Sequence, residues 1–67
     1  MGRERYKATI DVVDDAGRAY RLHEFVTLVD GREGESFYRL SDGIPARRLG
    51  ENEFEIGMID KIHARRR

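Results

Sequence analysis

Apolar residues recur along this chain at every second position, the spacing of a β-strand with one buried face. Tyr6, Ala8, Ile10 and Val12 alternate with Lys7, Thr9 and Asp11, which predicts a first strand over 6–12. Asp14-Asp15-Ala16-Gly17 follows as a turn, with aspartates that hydrogen-bond backbone and a glycine free to take positive φ. Arg18 to Val29 then predicts a longer second strand. Tyr20, Leu22, Val26 and Leu28 share one parity, and Phe25 and Val29 take the other. Glu24 falls on the apolar parity. A bulge or sharp bend near His23–Phe25 would reconcile it, with mixed burial of both faces as the alternative.

The same pattern continues in shorter pieces. Asp30 to Glu35 reads as a polar loop bearing Gly31 and Gly34, and Ser36 to Leu40 as a third strand with Phe37 and Tyr38 on opposite faces. Asp42-Gly43 is a strong hairpin signal. Ile44 to Leu49 returns as a fourth strand, which Pro45 places at an edge or starts late, because proline donates no ladder bond. After the turn at Gly50-Glu51-Asn52, Phe54, Ile56 and Met58 alternate with Glu53 and Glu55. Phe54, Met58 and Ile62 would also line one face of a helix, but Gly57 and the Phe-Glu-Ile run favour a strand through 57. A short strand or turn is expected over 58–63. A frayed basic tail is expected over 64–67, since Ile62 is the last large apolar anchor. The predicted fold is one mostly-β domain spanning 1–67, an antiparallel meander curling into an SH3-like open barrel of about five strands.

Composition then narrows the function. Thirteen basic and thirteen acidic residues cancel, so the chain lacks the positive field that duplex nucleic acid selects. Cysteine is absent, which removes disulfides and thiolate metal sites and fits a reducing, cytoplasmic setting. No apolar run exceeds two residues, as in Val12-Val13 or Met58-Ile59, so no segment can span a membrane as a helix. The start, Met1-Gly2-Arg3-Glu4-Arg5-Tyr6, has no apolar h-region, and Tyr6 stands where a myristoylation motif wants Ser or Thr.

Catalytic and metal motifs are weak. Two serines and two histidines are present without a spacing that links them, and Gly34-Glu35-Ser36-Phe37-Tyr38 lacks the final glycine of a nucleophile elbow. His23, Glu24 and His63 do not supply the three or four convergent ligands of a zinc site. Asp30 to Glu35 has no calcium-loop ladder, and Glu53 and Glu55 read as the solvent face beside Phe54 and Ile56. No glycine loop for phosphate precedes a helix. No cofactor is implied, and the chain reads as non-enzymatic.

The stretch Tyr38-Arg39-Leu40-Ser41-Asp42-Gly43-Ile44-Pro45-Ala46, followed by Glu53-Phe54-Glu55-Ile56, resembles a pattern in small uncharacterised bacterial β-barrel proteins. In those, a Tyr-x-Leu-x-Asp-Gly hairpin leads to a Phe-containing last strand. The resemblance implies a bacterial origin and a small barrel, and brings no activity or site with it.

A binding or assembly module for a protein partner is the expected function, as a monomer or a weak edge-paired dimer, since open edges pair readily with another chain. The expected partner surface is Tyr38, Arg39, Arg47 and Arg48, residue types favoured at interfaces. The alternative is weak, salt-sensitive single-stranded nucleic-acid binding through the basic tail with Arg47 and Arg48.

Overall fold

A computed structural model describes residues 3–67, so the readings placed on Met1 and Gly2 lie outside the described residues. The described residues form six strands: β1 (Arg3–Asp14), β2 (Ala19–Val29), β3 (Arg32–Arg39), β4 (Pro45–Arg48), β5 (Glu53–Ile56) and β6 (Ile62–Arg66). Every neighbouring pair is antiparallel, and β6 returns to β1, so the meander closes into a six-stranded barrel. There is no helix among the described residues.

Closure comes from the segment expected to fray. Ala64 pairs with Phe54 on one side and with Asp14 on the other. It is 1% exposed and belongs to the core cluster with its cross-strand partner Phe54. Arg66 N–H donates to Asn52 O at 2.8 Å and Arg67 N–H to Asp11 O at 3.0 Å. Backbone pairing and one small buried side chain anchor this end without a large apolar residue. The expected small antiparallel β-barrel is thus found, with a sixth strand and a closed seam where about five strands and an open barrel were expected.

Two bulges shape the longer strands. Tyr6 pairs with Phe25 and Ala8 with Glu24, so Lys7 is an extra residue on β1. The bulge is therefore on β1, opposite the place where β2 was expected to bend. β2 keeps its alternation there, and Phe25 packs on the outer face, the mixed burial that was the alternative. The Lys7 bulge also reverses the parity of β1: Ile10 and Val12 point into the core, whereas Tyr6 points outward at 55% exposure. On β3, Gly34 and Glu35 together oppose Thr27. A Cβ on Gly34 would meet Thr27 Oγ1 at 2.5 Å, which is why glycine stands at this bulge.

The polar stretch 30–35 is mostly strand. Asp30 (φ 52°) and Gly31 (φ 77°) form a two-residue mirror-type turn, and β3 resumes at Arg32. The Asp42-Gly43 hairpin is wider: Leu40 N–H donates to Ile44 O, Gly43 N–H to Leu40 O, and Gly43 takes φ 93°. At the first hairpin Asp14 Oδ1 accepts from Ala16 N–H and Arg18 N–H, and Oδ2 from the Tyr20 hydroxyl. These bonds, Arg18 N–H foremost and against an opposing desolvation, hold the Asp14 carboxyl below its ordinary range.

The core comprises Ile10, Val12, Leu22, Tyr38, Phe54, Ile56 and Ala64. Beyond it, residues 3–8 of β1, 24–29 of β2 and 32–37 of β3 continue as a three-stranded arm, in a molecule measuring 41 × 23 × 19 Å. Val26 is buried in this arm, between Arg5 and Ser36 in register. Arg5 reaches across β2 to Glu33, which Lys7 also approaches, so an ion-pair bridge ties the outer strands together on the concave side.

Candidate interaction face

On the convex side of the arm the register places three aromatic rings in one cross-strand row, Tyr6–Phe25–Phe37. Tyr6 meets Phe25 edge-on with centroids 6.0 Å apart, and Phe25 stacks on Phe37 at 5.8 Å. The Arg39 guanidinium lies over Phe25, 4.1 Å from the centroid, and contacts Phe37 at 5.7 Å. Its NH2 group also donates to Glu4 at 3.2 Å, so one arginine on β3 spans β2 to reach β1. Cation–π contact and ion pair together hold it over the Phe25 ring.

One row further along, Thr9, His23 and Arg39 are in register. Tyr6 OH and Thr9 Oγ1 are 2.6 Å apart, Thr9 Oγ1 and His23 Nδ1 3.1 Å, and His23 Nε2 and Ser41 Oγ 2.9 Å. The fold thus links a serine and a histidine that no sequence spacing connected. A hydrolytic site also needs a carboxylate orienting the base and donors for the oxyanion. Here a threonine hydroxyl holds the second ring nitrogen. The chain of four polar groups borders the aromatic row and binds the Tyr6 hydroxyl at its end.

The four residues expected at a partner surface do not share a face. Tyr38 is buried, with its ring edge-on to Phe54 at 5.2 Å, so it is a core residue. Arg39 belongs to the outer face just described. Arg47 is exposed and pairs with Glu55. Arg48 folds back on the β4–β5 turn, donating to Gly50 O and Glu51 O. That turn also receives the Arg66 N–H, so Arg48 groups with the C-terminal arginines and Arg47 does not.

Sequence reasoning missed Tyr6, Phe25 and Phe37 as a group. Their signal was present as aromatic residues lying off the core parity of adjacent strands, but Tyr6 joins them only through the bulge at Lys7.

The face has an apolar, aromatic centre and a polar rim in which charges of both signs are paired. Its strand edges are guarded: Arg3, Arg5 and the Lys7 bulge line one, and Arg32, Glu33, Glu35 and the Gly34 bulge line the other, devices that discourage strand addition. No group of His, Asp and Glu able to hold a metal ion occurs among the described residues. No family model, curated protein or solved structure matches the chain.

Proposed function

We propose that this chain is a non-enzymatic protein-binding or assembly module that docks a protein through the convex face of its arm. The observation that carries this reading is the Tyr6–Phe25–Phe37 row with Arg39 laid across it. Aromatic residues and arginine are the types that dominate interface energetics, and here they are prearranged by the register of three strands. Guanidinium and rings already ordered in the free protein lose little further freedom on docking. The pairing of Arg39 with Glu4 leaves the face without the cationic excess that phosphates require. Lack of cysteine and the hairpin resemblance support a bacterial, cytoplasmic setting, and the small barrel of bent strands supports an SH3-like kinship.

The test is affinity capture from host cells with the wild type and with Tyr6→Ser and Arg39→Ala, each first checked for an unchanged melting curve. A protein retained by the wild type and lost from both variants, with or without nuclease, supports the reading. Equal retention by all three, or loss on nuclease treatment, contradicts it.

One arrangement favours the nucleic-acid alternative, in a narrower form. Arg48 donates into the β4–β5 turn that also accepts the Arg66 N–H, with Arg67 next along the chain, whereas Arg47 pairs with Glu55. If those three cations each neutralise one phosphate of a single strand, the log–log salt slope is no steeper than about −2. A measured slope of about −4 or steeper would require cations outside this group.

A further inference from the structure

We infer that the barrel carries a second docking site, a hollow between β4 and the 57–61 loop that takes an acidic, apolar segment of a partner protein. Pro45, Ala46, Gly57 and Met58 give it an apolar floor and lip, and Arg47, Glu55 and Lys61 form the charged rim. This site is independent of the convex face, and neither reading depends on the other.

The charge pattern names the occupant. Arg47 NH2 and Lys61 Nζ both approach the same oxygen of Glu55, at 3.3 and 3.4 Å. Two cations therefore share one carboxylate, and the rim keeps one net positive charge. Asp60, next along the loop, is exposed and does not line the hollow. A carboxylate from a partner completes the set, as a second acceptor between Arg47 and Lys61. The surroundings are apolar and unusually open to solvent. Met58 is 76% exposed and Ile59 90%, and Ile44, next in sequence to Pro45, is 41% exposed. Such a lip is where a partner's apolar side chain gains most by excluding water. A side chain of leucine size beside a glutamate or aspartate fits both halves of the site.

The chemistry also separates this occupant from a membrane. A lipid surface would be met by the Met58-Ile59 tip, and would leave the floor at Ala46 and Gly57 untouched. A peptide side chain lying in the hollow meets Ala46 and Gly57 directly.

The experiment is an amide-resolved NMR titration of the full chain with a blocked peptide alternating glutamate and leucine. The same peptide with glutamine for glutamate and vesicles containing anionic lipid serve as comparisons. The expected result is saturable shifts at Ala46, Gly57 and Met58 with the glutamate peptide. Binding should weaken about fivefold with the glutamine peptide or in Arg47→Gln/Lys61→Gln, the size of one exposed ion pair. Phe25→Ala, on the other docking face, should leave those shifts unchanged. Equal shifts with both peptides, or no weakening in the double variant, would overturn the inference. So would a response to vesicles alone, confined to Met58 and Ile59, which would assign the lip to a membrane surface.

Discussion

Phe54 is fully buried, with the Tyr38 ring edge-on at 5.2 Å and Ala64 directly across the β5–β6 ladder. Truncating it removes the largest fully buried side chain of the core from a barrel too narrow to collapse around the gap. Phe54→Ala should cost about 3–5 kcal/mol in chemical denaturation, the usual range for a buried phenylalanine. A shift in midpoint equivalent to less than about 1 kcal/mol would place Phe54 outside the core. Asp14 acts differently, through its charge. Its folded pKa is depressed, so its contribution is present above the ordinary carboxylate value and is lost as pH falls through the folded one. Wild type should therefore lose stability below about pH 4, while Asp14→Asn is less stable near neutrality and flatter in that acid range. Parallel curves for the two proteins would count against the Asp14 hydrogen bonds. Tyr20, the partner hydroxyl, is shifted the other way: its bond to Asp14 raises its pKa. The fold thus favours its neutral form, an advantage that fades only as pH rises past about 10.

At the scale of elements, the final strand decides whether the sheet is a barrel or an open ribbon. β6 joins β5 to β1 and closes the barrel, so deleting residues 64–67 should open the seam and expose Val12 and Phe54. The expected outcome is loss of cooperative unfolding and loss of slow amide exchange at Val12 and Val13. A truncated chain with the wild-type melting curve would mean that this segment frays, as its composition alone suggested. The period-two runs at 6–12 and 53–58 made the class of fold legible, although the alternation is broken by the bulge at Lys7 and the strand ends at Ile56. What they left hidden was pairing itself. Ala64 is too small to announce a core position, and Arg65 and Arg66 hold their place by backbone bonds that their side chains do not reveal. The same reason explains the arm. Tyr6 shares its sequence parity with Ile10 and Val12, and only a one-residue bulge at Lys7 sends it to the other face. Phe37 and Tyr38 were legible as opposite-facing neighbours, but local sequence does not say which of the two faces is closed by Phe54. Arg39 was legible as a surface residue, whereas its ring partners depended on the register of β1, β2 and β3.

For the whole molecule, the consequence is a division of labour between a barrel that supplies stability and an arm that supplies surface. The main core cluster lies in the barrel, while the arm is held by the buried Val26, by the Arg5–Glu33 bridge on its concave side and by the Glu4–Arg39 pair on its convex side. That arrangement holds Tyr6, Phe25 and Phe37 in one row on the outer face of the arm. The most direct measurement is photo-cross-linking in host cells, with a benzophenone amino acid at position 6 on the convex face. A second chain carrying it at position 16, in the exposed turn after β1, is the control. A discrete protein adduct from position 6, weakened by Arg39→Ala and absent from position 16, is the result the docking face predicts. No protein adduct at position 6, or the same adduct from both positions, would contradict it.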